Sequence, residues 1–337
     1  MIGDSPSPQD LGNLIPSRFL WIFFVFICVG VVAVVAWFGY FEPKTRTVTG
    51  DESETATEQI SQTLTLELQD IESLDSGHYV AWVSDGITSW KAGSFRLRDD
   101  GVFVDLDGNV VSHSEFVFAV DRGRTLSRIF VTIEANDDQD DSPSDTEIVT
   151  GSLERGRAQL SFSAVDLVES RGSYILLTPT DDPNKDFERS GLWFFVPVNP
   201  FRTSLVLNDA PRGWVYEGWV LRAGETISLG RFRSVVGRDS FHGFSGDAEG
   251  PAFPGEDLLR NAPERFSGGF PFNLADGSSE VFITLEPDYS GTDPTGDEPF
   301  HIRALSDEIP EGLADRIPEI FHGFSRASFP SGTATLK

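Results

Sequence analysis

The chain has 337 residues, a formal net charge of −27 and a single cysteine. It is long enough for two domains of ordinary size, and it cannot form an internal disulfide. Such an acidic surface repels phosphate backbones, which excludes nucleic acid as the expected partner and leaves a basic protein partner as an option beside plain solubility.

The N-terminal part reads as a short tail, a membrane helix and a linker. Residues 1–18 are polar and form the predicted cytoplasmic tail, whereas residues 19–41 carry no charge. As a helix, the second stretch is long enough to cross a hydrocarbon core of about 30 Å, and it exceeds the apolar region of a cleaved signal peptide. It therefore predicts an uncleaved transmembrane anchor. Residues 42–60 are polar and lack aromatic side chains, as is typical of a linker.

Flanking charge does not decide the orientation of this anchor, because Arg18 lies on one side while Lys44 and Arg46 lie on the other. Long domains cross the membrane largely regardless of charge. We therefore expect a single-pass protein of the cell (inner) membrane, with its C-terminal domains in the periplasm or outside.

Small residues recur every three positions in the second half of the anchor, at Gly30, Ala33, Ala36 and Gly39. Small side chains let helix backbones approach closely in lipid, so this face is a candidate for packing against another membrane helix. The alternative is that Gly and Ala are simply common in membrane spans.

One pattern, Tyr-x2-Trp-x10-Gly-x-Phe, occurs twice after the linker. Its two copies are Tyr79, Trp82, Gly93 and Phe95, and Tyr216, Trp219, Gly230 and Phe232. Each copy is followed by a strand-like segment ending in Thr-x-Glu, at 130–134 and 281–286. This agreement indicates a duplicated domain. Aromatic residues at strand spacing beside matched glycines favour a packed core over a carbohydrate platform.

The rest of the chain after the linker has strand signals only. Apolar residues alternate with a period of two, and turn pairs such as Asp100-Gly101 bracket short runs. We therefore predict an all-β fold with two tandem Ig-like β-sandwich domains, at 61–157 and 158–310, and a C-terminal tail at 311–337.

The second copy contains a long insertion at 233–280, rich in proline and glycine. Loops of this size are often functional. We expect function to reside in this insertion, the C-terminal tail and the membrane helix, where the two copies differ.

Three runs carry a resemblance to a known family: GWVYEGWV at 213–220, SLGRF at 228–232 and VFITLEP at 281–287. With these runs the second copy resembles the extracytoplasmic domain of the anti-sigma-K factor (RskA-type) family, as does the PGED run at 254–257. The first copy is a weaker match. The resemblance implies an exported β domain. In that family a cytoplasmic helical domain holds the sigma factor, and residues 1–18 are too short for such a domain, so sigma binding is not implied.

Metal ligands have weak candidates. The pentapeptide FHGFS occurs twice and places His242 and His322 in the chain, the former near Asp247 and Glu249. Two histidines without a third nearby ligand are usually structural or surface residues, so we predict no metal and no cofactor.

Catalytic patterns are also weak. The Gly-x-Ser-x-Gly pattern that begins at Gly243 fails because position 247 is Asp, and no P-loop or dinucleotide fingerprint occurs. Acidic clusters at 137–141 and 181–186 lack the spacing of a calcium loop and read as solvated loop tips. We therefore predict that the chain is not an enzyme.

These observations favour a non-catalytic, membrane-anchored extracytoplasmic subunit that stabilises or organises a larger membrane protein complex. A respiratory or photosynthetic assembly is one candidate host. The expected partners are the other subunits of that complex and the lipid bilayer. An envelope sensor or regulatory protein related to anti-sigma factors is the alternative, and a glycan- or metal-binding module is a third class.

Overall fold

The computed structural model describes residues 58–138, 140–181, 188–266, 268–288, 298–323 and 329–337. Residues Thr57–Lys337 form one compact unit. The predicted membrane segment lies outside the described residues, as do its small residues Gly30, Ala33, Ala36 and Gly39, and both stay predictions. Among the residues that are described, no helix has the length and apolar character needed to cross a membrane.

Strands dominate the described residues, which confirms the predicted all-β class. The strands of the first half are β1 (Gln59–Gln69), β2 (His78–Ser84), β3 (Ser89–Leu97), β4 (Phe103–Val104), β5 (Glu115–Asp121), β6 (Arg128–Glu134), β7 (Glu147–Ser152) and β8 (Arg157–Ser161). A 3₁₀ turn at Ser112–Ser114 precedes β5.

The second half contains shorter strands and one further 3₁₀ turn, Glu188–Ser190. Its strands are β9 (Arg171–Leu176), β10 (Gly191–Trp193), β11 (Phe195–Val196), β12 (Arg202–Thr203), β13 (Leu205–Val206), β14 (Trp214–Arg222), β15 (Glu225–Phe232), β16 (Gly255–Asp257), β17 (Ser279–Pro287), β18 (Arg303–Glu308), β19 (Glu319–Ile320) and β20 (Ser331–Leu336).

Nine strands form the first sheet, in the order β4-β3-β2-β6-β7-β8-β20-β1-β5. The sheet curls so that its ends face each other. The ring of Phe116 on β5 packs against Gly93 on β3, where an added Cβ would lie 2.3 Å from it. Strand β5 alternates buried and exposed residues, as expected for a strand with one face on a core. The repeated Gly93 therefore serves close packing between the two ends of the sheet.

Strand β20 lies inside this first sheet, between β8 and β1. Beside it, the backbones of Thr63 and Lys337 exchange two hydrogen bonds, at 2.8 and 2.9 Å. The predicted tail at 311–337 thus includes an interior strand. Its small residues allow the close fit: a Cβ on Gly332 would lie 2.3 Å from the carbonyl oxygen of Glu67. Small residues also give a weak sequence signal for a strand.

The second half forms three smaller sheets: β15-β14-β17-β18, β13-β9-β10-β16 with β19 pairing β9, and β11-β12. One apolar core runs through both halves of the compact unit. Across the two predicted domains, the Thr146 hydroxyl donates to the Gly213 carbonyl at 3.1 Å. The predicted domains 61–157 and 158–310 therefore lie in one packed body.

The two copies of the repeated pattern occupy the same positions in their sheets. Tyr79 pairs with Phe95, and Tyr216 pairs with Phe232. In each copy the strand register shifts immediately before the tryptophan. The two tyrosines are buried, and each hydroxyl donates to an upstream backbone carbonyl at 2.9 Å. The duplication thus extends from sequence to strand order, register and hydrogen bonding.

The repeated tryptophans lie on the opposite face from the tyrosines, because residues three apart on a strand point to opposite sides. In each copy the indole N–H donates to a threonine hydroxyl at 2.8 Å, and that hydroxyl donates to a buried glutamate. The sets are Trp82, Thr132 and Glu134, and Trp219, Thr284 and Glu286. The Thr-x-Glu ending noted in the sequence is therefore the hydrogen-bond partner of the tryptophan.

An arginine covers each tryptophan–phenylalanine stack. Arg128 lies 4.5 Å from the Phe130 ring, and Arg303 lies 3.9 Å from the Phe282 ring. Arg128 is on the same strand as its phenylalanine, whereas Arg303 comes from the neighbouring strand β18. The two copies thus build the same cation–π contact from different strands.

Candidate functional site

The insertion at 233–280 is a packed structure. Five phenylalanine rings follow one another in it, with centroids 4.7 to 5.8 Å apart: Phe241, Phe244, Phe270, Phe266 and Phe272. Its strand β16 pairs with β10 and thereby joins the insertion to the sheet that contains β9. The insertion is thus packed internally by these rings and joined to the rest of the fold by backbone pairing.

A cleft of about 370 Å³ lies in this insertion. We call it the acidic cleft. Its lining includes Trp193, Asp239, Phe241, His242, Phe253 and Glu256. The volume falls within the range typical of small-ligand sites.

Glu256 is fully buried beside the cleft. Its Oε1 accepts hydrogen bonds from the backbone N–H groups of Phe244, at 2.8 Å, and Ser245, at 2.7 Å. Its Oε2 has no hydrogen-bond partner among the described residues. Burial, with a further contribution from Asp239, raises the pKa of Glu256 to about 8, although both backbone donors favour the ionised form. This carboxyl therefore holds a proton at neutral pH.

Two further carboxyl groups, Asp239 and Asp257, are held by donors from several segments. Asp239 accepts from the backbone of Phe241 and of Gly255, both at 2.9 Å. Burial raises the pKa of Asp239 to about 6. Asp257 accepts from the indole of Trp193 at 2.7 Å and from the Thr180 backbone at 2.8 Å, and burial raises its pKa to about 6 as well. Both groups are mostly ionised at neutral pH.

Two glycines make room for this arrangement. Gly230, from the repeated pattern, has φ +102°, and an added Cβ would lie 2.5 Å from the Asp239 carboxylate. Gly255 has φ +135°, and its Cβ would lie 2.5 Å from the Trp193 backbone. Both backbones lie where side chains are strained. The repeated glycine thus admits a phenylalanine in the first copy and a carboxylate of the acidic cleft in the second.

The arginines at the cleft rim are paired with exposed carboxylates. Arg238 contacts Glu249 at 2.6 Å, and Arg260 contacts Asp247 at 2.6 Å. Within each pair, the positive charge of the arginine is balanced by the negative charge of its carboxylate. At neutral pH the partly buried Asp239 and the buried Asp257 then supply the unmatched negative charge, and Glu256 adds to it once it ionises.

The predicted site residues separate into two groups. The repeated tyrosines lie on the core face of their strands and the repeated tryptophans lie on the opposite face. The polar atoms of both bond within the protein. Of the two histidines, His242 lies at the acidic cleft, whereas Nδ1 of His322 lies 3.0 Å from Asp307. No cluster of three or more His, Cys, Asp or Glu suited to a metal ion occurs in the described parts of the chain.

The sequence does not predict that Asp239, Glu256 and Asp257 come together at or beside one cleft. In the sequence alone, the PGED run at 254–257 indicates only the family resemblance. The signal that could have pointed to it is two adjacent acidic residues directly after Pro254-Gly255 in an insertion rich in phenylalanine, because acids packed among aromatic rings are costly unless paired.

No family model matches the chain, and no curated protein matches it either.

Proposed function

We propose that the chain is a non-catalytic, membrane-anchored extracytoplasmic subunit that stabilises or organises a larger membrane protein complex. In this proposal, residues 19–41 cross the cell membrane, and two tandem Ig-like β-sandwich modules follow outside it. The uncharged stretch and the matched strand registers of the two copies support it.

The observation that carries the accessory role is the internal use of the repeated polar groups. Both Trp–Thr–Glu sets are buried, and their side chains bond to one another and to neighbouring backbone groups. The repeat then serves as a framework, and the packed insertion at 233–280 is displayed on it. A rigid framework with one elaborated face is suited to holding other subunits in place.

Exposed apolar side chains near β11 to β13 offer a place for such a contact. Phe201 and Val206 are about half exposed in this short segment. Large exposed apolar groups on a soluble module are typical of protein contacts when they cluster. They provide the point at which to test the proposal.

The test is extraction of native membranes with a mild detergent, followed by sizing and mass-spectrometric identification of cross-linked partners. We expect the chain to migrate with a larger assembly, and Phe201→Ser to weaken that association. The matched control is Ile87→Ser, which changes an even more exposed apolar residue in the first half of the chain. A lone monomer in native extracts would contradict the accessory role.

Membrane anchoring is tested separately. We expect the chain to remain in the membrane fraction after alkaline carbonate extraction and to be digested by protease added from the periplasmic side. Release by carbonate would contradict the anchor at 19–41, whereas protection of the β modules from protease would contradict the orientation.

The second candidate is an envelope sensor related to the anti-sigma group, and the acidic cleft favours it because a sensor needs a ligand site. Its test is deletion of the gene. A transcriptional response without loss of a membrane complex would favour the sensor over the accessory subunit.

A further inference from the structure

The acidic cleft carries negative charge from Asp239 and, once it ionises, from Glu256, and no buried Lys or Arg among the described residues matches that charge. Asp239 and Glu256 line it, and Asp257 accepts hydrogen bonds from the lining residues Thr180 and Trp193. Its two arginines, Arg238 and Arg260, contact carboxylates at the exposed rim. A ligand that brings positive charge would therefore be favoured there, and a phosphate or other anion would be repelled.

Glu256 has one carboxyl oxygen without a hydrogen-bond partner among the described residues. It is fully buried, it lines the cleft, and its Oε2 makes no hydrogen bond within the described protein. Unpaired buried polar atoms are uncommon in folded proteins and call for an explanation. A cation seated in the cleft would compensate its charge once the proton has left.

Aromatic rings complete the cleft. Trp193, Phe241 and Phe253 line it together with the two acids. Aromatic faces beside carboxylates attract organic cations, because the ring quadrupole is negative above its plane. A hydrated metal ion gains less from such walls, whereas an alkylammonium or guanidinium group uses both the rings and the acids.

We propose that the acidic cleft binds an organic cation, namely an alkylammonium or guanidinium group. The proposal goes beyond the accessory role, since it concerns the purified chain alone. Two sources have this chemistry: a free amine or guanidine, and the lysine or arginine side chain of a basic protein.

The experiment titrates methylguanidinium into the full chain in detergent and follows the heat of binding between about pH 6.5 and about pH 8.5. Guanidinium keeps its charge throughout this range, while Glu256 ionises near pH 8. We expect affinity to rise about ten-fold with pH and N-methylurea, the neutral analogue of similar shape, to bind far more weakly. The other ionisable groups at the cleft are Asp239, His242, Asp247, Glu249, Arg238 and Arg260.

Three results would overturn the proposal: no binding of methylguanidinium at millimolar concentration, equal binding of N-methylurea, or an affinity that is flat or falls as pH rises. These comparisons need no variant. At about pH 8.5, where Glu256 is mostly ionised, Glu256→Gln should in addition weaken binding about ten-fold and so flatten its pH profile, whereas Glu249→Gln at the exposed rim should alter both much less. Near-UV circular dichroism checks that each variant is folded.

A second set of titrations separates the two sources. A short arginine-containing peptide that binds at least ten-fold more tightly than methylguanidinium would assign the cleft to a basic protein side chain. Equal affinities would assign it to a free small cation. Both results support the proposal, and neither depends on isolation of a membrane complex.

Discussion

Replacing Glu256 with glutamine should make the protein more stable at alkaline pH. Burial raises the pKa of Glu256 from its ordinary value of 4.5 to about 8. Between these two values the carboxyl has lost its proton in the unfolded chain but still holds it in the folded protein. The free energy of unfolding therefore falls as pH rises from about 4.5 to about 8. Each factor of ten in proton affinity is worth about 1.4 kcal/mol, so the full loss is about 5 kcal/mol.

Glutamine keeps the acceptor oxygen for the backbone N–H groups of Phe244 and Ser245 and carries no charge. Between about pH 6.5 and about pH 8.5, the wild type should lose about 2 kcal/mol of stability through Glu256, and the variant should not. For a folded unit of this size, that corresponds to a difference in Tm of about 3 to 6 °C.

The assay is thermal unfolding of the full chain in detergent at several pH values in this window, followed by near-UV circular dichroism. Asp239 and Asp257, with pKa values of about 6, are largely ionised throughout it, so the difference reports Glu256. Glu249→Gln, at the exposed rim of the same cleft, serves as the control for loss of one carboxylate. A Tm gap between wild type and Glu256→Gln that stays constant with pH would refute the reasoning.

Three further predictions concern the framework. Trp82→Phe and Trp219→Phe each remove an indole donor at 2.8 Å from a buried threonine hydroxyl, so each should lower the free energy of unfolding by about 2 kcal/mol in urea denaturation. Costs that differ by more than about 1.5 kcal/mol would show that the two sets are not equivalent. Gly93→Ala and Gly230→Ala should each cost about 2 kcal/mol or more, but only the second should change methylguanidinium binding, because it displaces a cleft carboxylate. Binding that is unchanged in both would contradict that link. Deletion of 331–337 removes an interior strand of the first sheet and should abolish the cooperative near-UV transition; a normal transition would contradict the strand's role.

Part of the fold follows from the sequence because it rests on local patterns. Alternating apolar residues and turn pairs specify strands. The repeated Tyr, Trp, Gly and Phe positions indicate a duplication, and the strand registers of the two copies match. The sequence contains both the tryptophan and the Thr-x-Glu ending at a repeated spacing. That the two are hydrogen-bonded becomes visible only when the strands that carry them are seen to be neighbours. Arg303 shows the limit most clearly. In the second copy it makes the cation–π contact that Arg128 makes in the first, but it does so from a different strand. The spacing of residues along the sequence does not show that the two arginines are equivalent.

The acidic cleft was harder to predict. The insertion at 233–280 was expected to be functional from its length and composition, yet the acids within it matter through burial, and burial depends on tertiary packing. Glu256 gains its properties from the Phe244–Ser245 backbone and from Asp239. Neither contact can be deduced from residue spacing alone. Strand β20 was missed for a related reason, because its small residues matter only against the backbone of β1.

The position of β20 has a consequence for the order in which the molecule is made. Its partner β1 lies at the opposite end of the described chain, and the intervening residues include the whole second copy. Contacts so distant in sequence form slowly, because a long loop must close before they contribute. During synthesis, the first sheet therefore lacks one of its interior strands until the second copy has been translated.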